Sequence, residues 1–131
     1  MNTMIRPVAR TSAFRNQVEK LRPHLSADAL RLLLHFRPRL KLLRISDGRV
    51  FEVQSVIAKT YPEDGGRPAV DQISILTRSA GLKVGLAIVF QRHFHDGQWR
   101  VNEGIDAPIP TAEGFKVAGH KSEFRFIEEL H

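Results

Sequence analysis

The chain has 131 residues, of which 42% are apolar and none is cysteine. Its length is typical of one domain with a core large enough to need no disulfide, and the absent cysteines exclude disulfides, thiolate zinc sites and cysteine nucleophiles. The longest nearly apolar run, residues 82–90, is far shorter than the ~20 residues of a membrane-spanning helix. Since the first residues also lack the apolar segment of a secretion signal, we expect a soluble cytoplasmic protein without membrane contact.

Charge is distributed unevenly along the chain. The net charge is +6, yet residues 1–50 alone carry +8 and residues 51–131 carry −2. Such asymmetry favours an acidic partner, either nucleic acid or an acidic protein, although a solvated basic helix face would look the same.

The first residues predict a flexible arm and then a helix. Residues 1–10 show no periodicity and contain basic side chains, which indicates a mobile basic arm before a single domain at 11–131. Thr11 or Ser12 can cap a helix that Pro23 ends. Its apolar residues recur at helical spacing: Phe14, Val18 and Leu21.

A second helix is the clearest element of the sequence. Ser26 is a good N-cap because its hydroxyl can accept a free N–H of the first turn. Leu30, Leu33 and Leu34 form the predicted buried stripe. Pro38 stops the helix.

Alternating apolar residues then predict a hairpin around Asp47-Gly48. A two-residue type I′ turn at this dipeptide would place Leu42 opposite Val53. Five residues are expected to share the core face of this hairpin: Leu40, Leu42, Phe51, Val53 and Ile57.

The rest of the chain predicts further strands. Residues 70–78 suit either a strand or a short helix, and their isoleucines and threonine favour a strand. Residues 81–95 predict a long strand that Asp96-Gly97 turns into the next one. Residues 104–114 are expected to be irregular because Pro108 and Pro110 bar a central strand. Residues 122–130 suit either a strand or a short helix. This order predicts an α+β fold, with two N-terminal helices packed on one face of an antiparallel sheet built from two Asp-Gly hairpins.

The second hairpin separates an apolar face from a polar face. The Asp96-Gly97 turn would place Phe94 opposite Trp99 and His93 opposite Arg100. The predicted core face carries Ile88, Phe90, Phe94, Trp99 and Val101. The polar face is a secondary candidate binding surface, and it includes His93, His95 and Arg100.

Two histidines one residue apart suggest half of a metal site. The possible third ligands are His120, Asp106 and Glu103, and alternation puts Glu103 on the opposite face from the histidines. Arg100 would also place a cation beside the metal. We therefore interpret the pair as part of a solvated face and predict neither a metal nor another cofactor.

The basic run "HFRPRLKLLR" is the leading candidate site. It brings Arg37, Arg39, Lys41 and Arg44 within eight residues, with Arg31 on the helix before them. These side chains could bind phosphates or carboxylates through charge and through bidentate hydrogen bonds. The alternative is that strand alternation sends them to different sides, with arginines gathering at a helix C-terminus for the sake of the dipole.

The N-terminal helices and the strand-"DGQWRV"-strand segment at 91–103 resemble the NTF2-like (SnoaL-type) family of cone-shaped α+β proteins. That resemblance implies a pocket between the helices and a curved sheet. His120 or Asp106 would line such a pocket.

Taken together, these features favour a small, non-enzymatic binding module, such as a bacterial or mobile-element accessory protein, that engages nucleic acid or an acidic protein through its basic N-terminal half. Two alternatives stay open. One is an NTF2-like pocket enzyme or ligand binder. The other is a homo-oligomeric structural subunit, which a long uncovered sheet edge or a large apolar surface patch would favour.

Overall fold

The computed structural model of the chain describes residues 11–101, 104–120 and 122–127. Two helices are followed by eight strands: α1 (Ser12–Leu21), α2 (Ala27–His35), β1 (Lys41–Arg44), β2 (Val50–Tyr61), β3 (Val70–Arg78), β4 (Ala87–His95), β5 (Gln98–Val101), β6 (Pro108–Pro110), β7 (Gly114–Val117) and β8 (Ser122–Phe126). Across these ranges, no helix is long and apolar enough to cross a membrane. The predicted arm at 1–10 lies outside the described residues.

Both helices begin where their capping residues predict. The Thr11 hydroxyl accepts the N–H of Phe14 at 3.1 Å, and the Ser26 hydroxyl accepts the N–H of Ala29 at 3.1 Å. Each hydroxyl satisfies one of the N–H groups that a helix leaves without an internal partner. A short 3-10 turn, Arg22–His24, joins the two helices.

One curled antiparallel sheet dominates the fold. Its strand order is β5-β4-β3-β2-β1-β8-β7-β6. The N–H of Val89 in β4 donates to the carbonyl of Asp106 at 2.9 Å, so the chain just before the edge strand β6 returns to β4 and the sheet forms a half-barrel. The α+β prediction is confirmed, although the sheet has eight strands rather than those of two hairpins alone.

The core lies inside the curl of the sheet. α1 packs against β2 and β3, and five phenylalanines are fully buried: Phe36, Phe51, Phe90, Phe115 and Phe124. Phe36 follows α2 and contacts Phe90 and Phe115 edge-on, with ring centroids 6.1 and 5.5 Å apart. Side chains therefore fill the interior of the curl.

α2 buries a different stripe from the predicted one. Leu32 and Leu33 are buried together with Ala29, whereas Leu34 is 42% exposed. Almost every residue from 29 to 34 is apolar, so periodicity alone does not define which side faces inward. The buried Phe36 fixes the rotation of the helix, because 29, 32, 33 and 36 share one helical face.

The first hairpin has a different register from the predicted one. Leu42 lies opposite Phe51 rather than Val53, because residues 45–48 form a four-residue loop instead of a two-residue turn. The first residue of that loop donates its N–H to the Glu123 carbonyl of β8 at 2.9 Å, a long-range bond that local turn chemistry cannot foresee. The shift is two residues, so it preserves the inward and outward alternation.

The predicted burial of Ile57 is wrong. A β-bulge between Val53 and Ser55 inserts an extra residue into β2 and inverts the alternation after it. Val56 and Ala58 consequently pack against the core. Ile57 points to the outer face and is 44% exposed.

Later segments also differ from the predictions in places. β4 begins at Ala87 rather than at residue 81. Pro108 and Pro110 do not prevent a strand but sit in the three-residue edge strand β6, where a missing N–H is tolerated. The ambiguous segment forms a strand over residues 122–126.

Candidate functional site

Two of the five predicted basic residues are balanced by nearby carboxylates. Arg31 pairs with Asp28 at 2.9 Å, and Arg44 pairs with Asp47 at 2.7 Å while its guanidinium lies 5.1 Å from the centre of the Phe51 ring. The hydrogen bond from Arg44, helped by the N–H of the Arg49 backbone, lowers the pKa of Asp47 to about 2. These cations stabilise local structure.

The other three predicted residues lie around the start of β1. Arg37 and Arg39 are exposed in the α2–β1 connection, and Lys41 is exposed in the strand itself. Arg39 has a φ of 74°, and its backbone N–H donates to the Val53 carbonyl at 2.8 Å. The five residues are thus spread over a helix, a connection and both ends of a strand.

The face of the sheet turned away from the helices, here called the outer face, carries an exposed aliphatic cluster. Ser74 lies at its centre, with Ile57 directly opposite on β2 and Val89 directly opposite on β4. Leu76 stands two residues further along β3 and is 37% exposed. The aliphatic cluster is the exposed Ile57 and Leu76 together with the half-buried Val89.

Cations also lie on this same face. Strand alternation places six there, named the outer-face cations: Lys41, Lys59, Arg78, Arg100, Lys116 and Arg125. Among the described strand residues, two carboxylates share the face, Glu52 and Glu123. Over the strand residues that the structure describes, the face therefore has an excess of positive charge.

Three of the outer-face cations have no ion-pair partner in the described part of the chain. Arg78, Arg100 and Arg125 form no ion pair within 4.0 Å with any residue in the described ranges, and Lys59 lies 4.9 Å from the centre of the Tyr61 ring. Arg31 on α2 and Arg92 inside the curl have carboxylate partners, whereas the exposed Arg15 and Arg67, like the three outer-face arginines, have none among the described residues. The outer face thus retains charge that the described part of the chain does not neutralise.

The predicted secondary face extends the outer face at the end of the β4–β5 hairpin. His93 lies opposite Arg100, and His95 lies opposite Gln98. The His95 ring nitrogen is 3.2 Å from the carboxylate of Asp96. Within residues 11–101, 104–120 and 122–127, no three histidine, aspartate or glutamate side chains converge as a metal site requires.

The predicted burial of Phe94 and Trp99 is wrong. Both project from the inner face, yet they are 37% and 38% exposed, because they lie beyond the fully buried Ile88 and Phe90 toward the tip of the hairpin. The guanidinium of Arg92 stacks on Trp99, 3.8 Å from the ring centre.

Sequence reasoning missed a buried ionic network beside that stack. Asp71 is 5% exposed and accepts hydrogen bonds from Arg92 at 2.8 Å, Thr60 at 3.0 Å and Lys20 at 3.4 Å. Burial by itself raises the pKa of Asp71, but the hydrogen bonds from Arg92 and Thr60 and the neighbouring cations outweigh burial and lower it. Because Lys20 belongs to α1 and Arg92 to β4, the network attaches the helix to the sheet.

An open groove of about 520 Å³ lies between α2 and the β6–β7 connection. Leu32 and Phe126 contribute to its walls, together with Asp28, Arg31 and Glu113. His120 and Asp106, which the NTF2-like resemblance placed in a pocket, instead pair with each other at 3.2 Å on the surface. Neither lines the groove.

No protein-family model, curated protein or solved structure matches the chain. Functional inference therefore rests on the geometry of the surface.

Proposed function

We propose that this protein is a non-enzymatic interaction module that binds an acidic protein through the outer face. The observation that carries the proposal is the aliphatic cluster on a face that also carries Arg78, Arg100 and Arg125, which have no ion-pair partners in the described part of the chain. Strands from both halves of the sequence supply this surface, so it is broader than the basic N-terminal half alone.

An aliphatic centre with a charged rim is the arrangement found in protein interfaces. Burial of the centre supplies affinity, and the rim supplies steering and specificity. Ile57 and Leu76 provide apolar area. Arg78 and Arg125 can form forked hydrogen bonds with carboxylates of the partner.

The same arrangement suits nucleic acid less well. Surfaces that bind single strands combine cations with exposed aromatic rings on which bases stack. In the described strands, Tyr61 is the aromatic side chain on the outer face, and Lys59 already lies over its ring. The centre of the face is aliphatic instead.

Self-association through the outer face is opposed by charge. Two copies would bring their outer-face cations together with few carboxylates to offset them, and like charges in an interface are costly. The outer strands are also short: β5 has four residues and β6 has three. Neither forms the long uncovered edge that a homo-oligomeric subunit would use.

Fluorescence anisotropy with labelled probes tests the proposal. The probes are a peptide rich in glutamate and leucine, a 20-nucleotide single strand and the corresponding duplex. We expect the peptide to bind at physiological salt, and the double variant Arg78→Glu/Arg125→Glu to weaken it at least ten-fold, about 1.4 kcal/mol. Preferential binding of either oligonucleotide would overturn the choice of an acidic protein.

A matched control keeps the total charge change constant. Arg15 and Arg67 are exposed on α1 and in the β2–β3 loop, outside the strands that form the outer face. The variant Arg15→Glu/Arg67→Glu should bind the peptide close to the wild-type level. Equal losses in the two double variants would show that net charge, rather than the outer face, attracts the peptide.

A further inference from the structure

We propose that the segment bound by the outer face is an acidic amphipathic helix, with its apolar stripe on the aliphatic cluster and carboxylates on both flanks. This inference rests on the proposed function and specifies the kind of partner segment. It follows from which backbone groups of the sheet are already used and from the spacing of the cations.

The sheet edges are poor places to add a strand. At one end, β6 contains Pro108 and Pro110, whose nitrogens have no hydrogen to donate. At the other end, β5 is short, and the part of β4 beyond it already donates the Val89 N–H to Asp106. A partner is therefore expected on the face rather than at an edge.

A face offers side chains only, because the backbone groups of β2, β3 and β4 are engaged in ladders with one another. A segment that docks there must satisfy its own N–H and C=O groups. An α-helix does so internally, and an amphipathic helix presents one apolar stripe bordered by polar side chains.

The dimensions of the outer face fit such a helix lying across the strands. β2, β3 and β4 together span ~10 Å at a strand separation of about 4.8 Å, which equals about two helical turns. Leu76, Ser74 and Ile57 lie under this path. A stripe of three or four leucines is long enough to cover the aliphatic cluster.

The cations lie where the flanks of that helix would be. Arg78 is two residues beyond Leu76 on β3, and Lys59 is two residues beyond Ile57 on β2 in the opposite direction. The row of paired strand residues that contains Arg78 and the row that contains Lys59 are roughly 20 Å apart along the strands, at ~3.3 Å per residue. A helix with its side chains is about 10–12 Å wide. Long acidic side chains on either flank can reach both rows.

Glu52 is the one described carboxylate close to this path. It lies between Lys41 and Arg78 in the row of paired residues, where it would repel an acidic flank. Removing its charge should therefore strengthen binding, an effect opposite in sign to the loss of a cation.

The test uses two peptides of identical composition and charge. In the first, leucines recur at helical spacing i, i+3, i+4, i+7 with glutamates on both flanks. In the second, the same residues are distributed so that no stripe forms. We expect at least ten-fold tighter binding of the first by anisotropy, with a gain of its helical circular dichroism on binding.

Variants of the protein assign the contact to the outer face. Ile57→Thr/Leu76→Thr keeps strand-forming residues and should weaken the first peptide several-fold while leaving the second unchanged. Glu52→Gln should tighten the first peptide two-fold or more. Unfolding curves of each variant confirm that the fold is retained.

The outcomes separate the two proposals. Equal binding of both peptides that Arg78→Glu/Arg125→Glu abolishes would refute the helix and leave the proposed function standing. No binding of either peptide would refute both. Loss of binding in Glu52→Gln would also contradict the assigned path of the helix.

Discussion

Replacing Asp71 with alanine should cost this protein a large part of its stability. The carboxylate is buried and accepts hydrogen bonds from Arg92, Thr60 and Lys20. Without it, the Arg92 side chain, 16% exposed, holds a positive charge with no carboxylate opposite it. Removing one partner of a buried pair typically costs about 3–5 kcal/mol.

The structure points to the lower end of that range, about 3 kcal/mol. Arg92 would keep its stack on Trp99 and its contact of 3.1 Å with the His24 ring nitrogen. Lys20 is 43% exposed in its pair with Asp71. Exposed ion pairs contribute at most about 1 kcal/mol, so Lys20→Ala should be mild.

Urea unfolding measures these differences. The sole tryptophan, Trp99, reports on the network by fluorescence, and circular dichroism at 222 nm reports on the whole fold. With a urea slope of about 1–3 kcal/mol per M, a loss of ~3 kcal/mol lowers the midpoint by roughly 1–3 M. A loss below about 1 kcal/mol, equal to that of Lys20→Ala, would show that the Asp71 network contributes no more than an exposed ion pair.

Three further predictions concern other features of the fold. The pKa of Asp71 is lower in the folded protein than its ordinary value of 3.8. The stability that the ionised carboxylate contributes is therefore present above pH 3.8 and is lost as the pH falls through the lower folded pKa. Urea midpoints should show that wild type loses more stability between pH 5 and pH 3 than Asp71→Ala does. Gly114→Ala should cost about 1–3 kcal/mol because the added methyl would meet the backbone carbonyl of Phe124, whereas Gly104→Ala, whose methyl would meet a side-chain atom at 3.4 Å, should be milder in thermal unfolding. Ser26→Ala removes the cap of α2 and should cost about 1 kcal/mol, while Ser26→Asp should retain most of the stability; equal losses would contradict the capping role.

Local chemistry in the sequence predicted the local features of the fold. The caps Thr11 and Ser26 act within three residues of themselves, so their roles are readable from the sequence. The alternation of apolar residues correctly predicted that Leu42 and Phe51 are buried. The predicted strand register was wrong by two residues, and an even change of register leaves each side chain on the same face.

Features set by distant contacts were not predictable in the same way. The bulge after Val53 turns Ile57 to the outer face, and no pattern in the neighbouring residues predicts this bulge. The rotation of α2 was likewise decided by Phe36 and its partners on β4 and β7.

The candidate surface also depends on contacts between residues far apart in the sequence. Proximity in the sequence predicted Arg31 and Arg44 as binding residues, but in the fold they pair with Asp28 and Asp47. The outer-face cations come instead from six strands of the sheet, between positions 41 and 125. Only the strand order brings them onto one face.

Amide chemical-shift mapping during titration with the amphipathic acidic peptide tests whether the outer face is the binding surface. We expect the shifts to concentrate on β2, β3 and β4, at Ile57, Ser74 and Val89, and to disappear in Arg78→Glu/Arg125→Glu. Shifts confined to the α2–β1 connection around Arg37 and Arg39, or to the groove beside α2, would contradict this expectation and move the binding surface there.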